Sequence, residues 1–344
     1  MNSPTSQAGA AHAVPLTTHE RPRAEAAFID LVGADMEAVN RCISEHLDSD
    51  VALIRSVGAY IIYNGGKRLR PLTLLLSAKA FRYTGDAHII LAAALEFIHT
   101  ATLLHDDVVD KSKLRRGRAS ANEVWGNDAS VLVGDFLYSR SFEMMVEVGS
   151  MVVMEVMAKA TNTIAEGEVM QLMNCHSPGV SETQYLETIR RKTATLFEAA
   201  AQLGAVISDQ PSEMKHSLAK YGLHLGIAFQ LIDDVLDYSA KSEDIGKNVG
   251  DDLAEGKPTL PVIHAMIEGA PAQQRLLRNA IAYGGRDEIG AVLDAIERTG
   301  SLAYTSRRAK EQARLAQQAL SRLPDSAHRQ ALLDLADFAV EREY

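Results

Sequence analysis

The chain has 344 residues, 47% of them hydrophobic, 23% charged and 6% aromatic, with a formal net charge of -10. That balance excludes a general nucleic-acid binder, which needs a basic face, and the two cysteines, Cys42 and Cys175, are too few for a disulfide scaffold and lack metal-ligand spacing. Length permits two domains, but no Pro/Gly/Ser-rich linker divides the chain after residue 25, so one large domain is expected over 25–344.

In chain order, Met1 to Ala24 is rich in Ala, Ser, Thr and Pro without periodicity and reads as a disordered tail. It has neither the apolar core of a secretory signal nor the Arg-rich amphipathic pattern of a transit peptide. From Ala26 onward apolar residues recur at helical spacing, as in Phe28, Ile29, Leu31, Val32, Met36 and Val39. The pattern predicts helices over 25–47, 50–63, 71–83, 87–110, 119–146, 150–174, 181–208, 212–238, 259–268, 272–281, 286–299, 301–321 and 326–341. Prolines fall between these segments, with Pro71 and Pro258 suited to first helical turns. No run alternates with period two well enough to require a strand, so the expected fold is all-α, a single large helical bundle. No uninterrupted apolar stretch reaches the roughly 18 residues of a bilayer span. A soluble protein of the reducing cytoplasm, with Cys42 and Cys175 as plain thiols, is therefore expected.

Several segments, such as 87–104 and 196–207, carry Ala on nearly every face and belong inside a bundle. Two of the apolar runs end in Asp106-Asp107-Val108-Val109-Asp110 and Asp233-Asp234-Val235-Leu236-Asp237. In each, the first and last Asp share a helix face with the middle one to the side. Carboxylates so close repel one another, and burial beside apolar runs adds a desolvation penalty that a cation would offset. A hard divalent ion such as Mg2+ is suited to that task, because it takes one or two carboxylates and completes its shell with water and phosphate oxygens. The two clusters are expected to face one another across a central cavity.

Cationic side chains accompany them. Gly65-Gly66-Lys67-Arg68-Leu69-Arg70-Pro71 is a glycine turn with three cations feeding a helix, which suits either an anion or a solvated basic loop. Arg115-Arg116-Gly117 follows the first cluster, and His99 lies two helical turns before Asp106, where a core histidine would look the same. Gln230, Asp233, Asp234 and Asp237 share a helix face, extended by Gly222 and Gly226, which leave room for a ligand or a neighbouring helix. Lys192-Thr193 and the loop with Lys247 and Lys257 complete the set.

Leu103 to Gly117 resembles the first aspartate-rich signature of trans-type isoprenyl diphosphate synthases, and Gly226 to Asp237 resembles the second. The elements 66–71 and Gly256-Lys257-Pro258-Thr259-Leu260-Pro261 also match in order and spacing, so the resemblance spans roughly 25–344. It implies that Lys67, Arg70, His99 and Arg116 hold the diphosphate of isopentenyl diphosphate. It further implies that Asp106, Asp107, Asp110, Asp233, Asp234 and Asp237 hold about three Mg2+ ions bridging an allylic diphosphate. Arg115, Lys192, Lys247 and Lys257 would contact the same leaving group, and Thr193 and Gln230 would offer oxygen dipoles to the allylic cation. With roughly +6 from metal against about -6 from two diphosphates, the six carboxylates and seven cations come near neutrality.

The pattern around Phe97 to Met145 most resembles bacterial octaprenyl diphosphate synthases, makers of the ubiquinone side chain, with farnesyl diphosphate as the expected primer. Bulky aromatics at the fourth and fifth positions before the first Asp stop chain growth in this family. Here those positions hold Thr102 and Ala101, and Ala101, Ile98, Ala94 and Leu91 form a stripe without aromatics. Met144 and Met145 are candidates for the far wall. The resemblance also implies a homodimer, with no nucleic-acid partner, no transmembrane segment, and transient membrane contact for product release. Terpene cyclases, head-to-head synthases and non-catalytic partner subunits are the rival readings. The intact pair of Asp motifs and the Gly-Lys-Arg-Leu-Arg-Pro element weigh against them.

Overall fold

A computed structural model describes residues 23–63, 66–239 and 249–341. The expected tail therefore lies almost wholly outside the described residues, as do Gly65 and Lys247.

The helices are α1 (Arg23–His46), α2 (Ala52–Tyr63), α3 (Leu69–Ala80), α4 (Ala87–Val109), α5 (Ala121–Trp125), α6 (Asn127–Glu147), α7 (Met151–Asn174) and α8 (Glu182–Ile189). A π-helical turn, Arg190–Ala194, leads into α9 (Thr195–Ile207) and α10 (Ser212–Asp237). Then come α11 (Asp251–Ala254), α12 (Leu260–Glu268), α13 (Pro271–Tyr283), α14 (Ile289–Arg298), α15 (Ser301–Ala319), a 3-10 turn Leu320–Arg322, and α16 (Ala327–Val340). The all-α expectation holds.

Four local departures have physical causes. The helix expected over 119–146 is broken at Gly126, whose φ of 86° ends α5 and starts α6. The helix expected over 181–208 contains the π-helical turn, in which the backbone N–H of Thr195 bonds to the carbonyl of Arg190. Leu114–Arg115 (β1) pairs antiparallel with Arg118–Ala119 (β2) through the two-residue turn Arg116-Gly117, both at positive φ, as the twist of a tight hairpin requires. Pro71 lies in the first turn of α3, but Pro258 precedes α12 and Pro261 takes the place expected of it.

Helix α4 is long and apolar enough, by length and composition, to cross a bilayer. Most of it is instead buried, packed on α1, α3, α6 and α9. Its fully buried positions include Leu91, Leu95, Phe97, Ile98, Ala101 and Leu104. Complete burial of each large apolar side chain contributes about 1.5–3 kcal/mol. Helix α9 touches both α4 and α10 and so stands between the two helices that carry the aspartates. At Gly222 an added Cβ would lie 2.2 Å from the carbonyl oxygen of Phe197, and at Gly226 it would lie 2.5 Å from Cα of Ala194. The glycine stripe of α10 therefore admits a neighbouring helix, which resolves the choice between helix and ligand.

Candidate active site

The C-terminal ends of α4 and α10, the π-helical turn and the segment after α11 meet around a cavity of about 260 Å³. Asp106 and Asp110 line it from one side and Gln230 and Asp234 from the other, with Arg115, Lys192, Thr193 and Lys257 between them. The two aspartate clusters, more than 120 residues apart in sequence, are thus brought to one space.

Each aspartate has its own environment. Asp107, turned aside from the face shared by Asp106 and Asp110, is completely buried and accepts from Arg115 Nε at 2.8 Å and Nη2 at 2.6 Å. Burial still raises its pKa, and its Oδ2 has no hydrogen-bond partner. Asp106 lies 3.2 Å from the Lys192 ammonium, and Asp110 lies 2.7 Å from that of Lys257. Asp234 accepts from the buried Tyr185 hydroxyl and, at 2.8 Å, from Gln230 Nε2. Burial, with the charge of Asp252 beside it, pushes the Asp234 carboxyl up to about 8. Asp237 lies next to the backbone N–H of Asp252 at 3.4 Å, and Asp233 is near enough to Arg70 to favour its charged form. Thr193 Oγ1 donates to Gln230 Oε1 at 3.0 Å, tying the π-helical turn to α10.

This donor set fits a hard divalent ion. At the cavity it consists of the carboxylates of Asp106, Asp110, Asp234 and Asp252 and includes an acid that burial holds protonated in the absence of a cation, whereas Asp107, Asp233 and Asp237 do not line it. In the arrangement seen, lysines lie against Asp106 and Asp110, and among the described residues no three acidic, histidine or cysteine groups converge closely enough to hold an ion.

A basic cluster lies at the start of α3 and beside α4. Arg70 is half-buried with its guanidinium 4.5 Å from the ring centroid of Phe197. Burial pushes its pKa down to about 10, and its Nε has no partner. Arg68 pairs with the half-buried Glu96 at 3.3 Å, and Glu96 also feels the charges of Arg70 and Arg116. His99 is held well below its usual pKa by burial and then by Arg70 and Arg116, so it is a neutral imidazole here. Lys67 stands 5.7 Å from the Phe338 ring centroid, and Gly66 approaches Arg116 so closely that a Cβ would lie 3.0 Å from its guanidinium. The hairpin turn thus sends Arg115 to the carboxylates and Arg116 to this cluster.

Carboxylates with lysines and, apart from them, a cluster of arginines can bind two polyanions, one of them through metal. A family model described as Polyprenyl synthetase matches residues 51–298. The chain belongs to that family. It is accordingly a prenyltransferase, of a family that uses a divalent metal and joins isopentenyl diphosphate to an allylic diphosphate.

Among polyprenyl synthetases, the octaprenyl diphosphate synthase of Escherichia coli (strain K12) is 54% identical over 315 residues, which cover 91% of this chain and 98% of the relative. The all-trans-nonaprenyl-diphosphate synthase (geranyl-diphosphate specific) of Rhodobacter capsulatus is 45% identical over 312 residues, 90% and 96% of the two chains. The crystal structure of a polyprenyl synthase from Caulobacter crescentus CB15, complexed with calcium and isoprenyl diphosphate, is similar with a TM-score of 0.89 at 46% identity, covering 92% of this chain and 98% of that one.

Sequence reasoning missed several polar groups of the polyprenyl synthetase site. Glu168 lies 2.6 Å from the Lys192 ammonium, and burial followed by the charge of Asp106 pushes its pKa up to about 7. Glu96, Tyr185 and Asp252 were also absent from the expected set. Only Asp252, in an acidic pair after Gly250, carried a visible signal; Tyr185 matters because of a hydroxyl contact 49 residues away. The chain-length candidates Ile98, Ala101, Met144 and Met145 are all fully buried in the main core, where α4 packs on α6. Thr102 is half-buried and donates to the carbonyl of His99 at 2.8 Å.

Proposed function

We propose that this prenyltransferase is a long-chain trans-polyprenyl diphosphate synthase that extends an allylic primer, farnesyl diphosphate, to octaprenyl diphosphate, the precursor of the ubiquinone side chain. The observation that carries the reading is the meeting of Asp106, Asp110 and Asp234 with Arg115, Lys192 and Lys257 on one cavity. Similarity to the E. coli octaprenyl enzyme and the small residues at Ala101 and Thr102 support the long product.

Mg2+, about three ions held by Asp106, Asp107, Asp110, Asp233, Asp234 and Asp237, would supply positive charge to the allylic diphosphate as it departs. Lys192, Lys257 and Arg115 orient that diphosphate and stabilise its growing charge, a role the family resemblance also gives Lys247. Thr193 and Gln230 turn oxygen dipoles toward the allylic carbon as its C–O bond breaks. Lys67, Arg70, His99 and Arg116 hold isopentenyl diphosphate so that its C4 alkene carbon forms the new C–C bond. The released diphosphate takes the proton that is then lost. No side chain serves as nucleophile, and the apolar packing of α4 keeps water from the cation.

Self-association into a homodimer is supported by large apolar side chains left exposed on one chain, among them Leu132 and Val146 on α6 and Met151, Leu172 and Met173 on α7. The purified chain alone, given Mg2+ and both substrates, should release a product that chromatographs with eight isoprene units. An inactive chain, or a product of clearly different length, would reject the reading. Sedimentation under assay conditions should show a dimer; an active monomer would refute that part.

A further expectation separates the two anion sites. Arg70→Ala should raise KM for isopentenyl diphosphate by roughly 10- to 100-fold, the scale of a lost hydrogen bond to a charged group, and Lys192→Ala should act chiefly on the allylic substrate. Measuring both Michaelis constants for both variants checks this, and equal effects on both substrates would remove the division.

A further inference from the structure

Two lysines in the cavity share one pattern. Lys192 Nζ lies 3.2 Å from Asp106 but 2.6 Å from Glu168, and Lys257 Nζ lies 2.7 Å from Asp110 but 2.6 Å from Glu255. Each ammonium thus bridges an aspartate of the first cluster to a glutamate outside both clusters; the glutamate is the nearer for Lys192 and about equally near for Lys257, which Asp252 also favours in its charged form. Both lysine side chains are largely buried, with 18% and 15% of their surface exposed. Backbone packing fixes the first pair: a Cβ on Gly167 would lie 2.5 Å from the backbone nitrogen of Lys192, so α7 presses directly on the π-helical turn. Glu168 and Lys192 are therefore held opposite each other by the fold.

A cation that binds Asp106 or Asp110 competes with the ammonium already there for the same carboxylate charge. A buried lysine with no second partner would then be left uncompensated, which is strongly unfavourable. With Glu168 or Glu255 in place, the ammonium keeps one carboxylate and needs only a small rotation of its stem. It also stays beside the aspartate it has released, where an incoming diphosphate would meet it.

We propose that Glu168 and Glu255 are positioning residues that receive Lys192 and Lys257 when Asp106 and Asp110 turn to metal, so that metal entry and readiness of the lysines for diphosphate are coupled. This rests on the reading of Asp106 and Asp110 as metal ligands. The test is Mn2+ binding to the full chain with inorganic diphosphate, followed by electron paramagnetic resonance. Glu168→Gln and Glu255→Gln should each weaken Mn2+ binding roughly fivefold or more, because a largely buried lysine exceeds the surface ion-pair scale. In a Lys192→Met background Glu168→Gln should have no further effect, since no ammonium remains to be received. Unchanged Mn2+ binding in Glu168→Gln overturns the proposal, and so does a weakening that persists in the Lys192→Met background, which would make Glu168 a ligand in its own right. Asp106→Asn is the separate control: if it leaves Mn2+ binding unchanged, the metal reading fails independently of the lysine partners.

Discussion

Asp106→Asn and Asp234→Asn are each expected to cut turnover at least about a hundredfold, a loss near 2.7 kcal/mol of transition-state stabilisation. Asn keeps the shape of Asp and one acceptor oxygen, which can still accept from Gln230 Nε2 while its amide N–H donates to the Tyr185 oxygen, but it removes the charge that a hard cation requires. The two substitutions lie on separate helices that both line the cavity, so a shared loss would point to that space. Stability separates this effect from unfolding. Asp234 has its pKa raised from 3.8 to about 8 by burial and by Asp252, so the folded state binds more protons than the unfolded one across that window. Metal-free stability of the parent should therefore fall as pH rises from about 4 to 8, and Asp234→Asn should lack that part of the slope. At pH 8 without metal the variant should melt no lower than the parent while its turnover is lost. Near-parental turnover at saturating Mg2+ in either variant would show that its cluster holds no essential ion.

Ala101→Tyr is expected to shift the product toward roughly three or four isoprene units while leaving the first condensation intact. Each helical turn rises about 5.4 Å, comparable to one extended trans isoprene unit, and Ala101 lies little more than one turn below Asp106. A ring placed there would stop growth after a few condensations without touching the diphosphate contacts. Ala101 is fully buried on the helix that packs against α6, which carries the buried Met144 and Met145, so the added ring must find space in a filled core. Overpacking of that kind costs about 1–3 kcal/mol, which a melting measurement on the variant would register. Product chromatography decides the matter. If the variant is active and makes the parental long product, growth does not pass Ala101.

The helical segments and both aspartate clusters were legible from the chain alone, because helix formation and charge clustering are written in spacings of three, four and seven residues. The basic turn at 66–71 was legible for the same reason. Local breaks were less so: Gly126 divides one expected helix, and the π-helical turn at Arg190–Ala194 adds a residue that no hydrophobic period reveals. The glycines of α10 left ligand and helix equally open until their distances to Phe197 and Ala194 showed backbone against backbone.

What only the tertiary structure decided is which charge meets which. Residue types placed six carboxylates and seven cations in the chain, but not that Asp107 turns to Arg115, that Asp234 lies beneath Tyr185, or that Arg116, next to Arg115, lies instead against Gly66. Lys257 reaches Asp110 across 147 residues, and Glu168 reaches Lys192 because α7 packs on the π-helical turn. Local periodicity sets the face a residue occupies on its own helix. Contacts between helices far apart in sequence depend on how several faces are buried together, and burial is also what moves the pKa values of Asp234, Glu168 and His99. The sequence by itself thus determined the helices and the kinds of charge they carry, and the packing of those helices determined the partner and the protonation state of each.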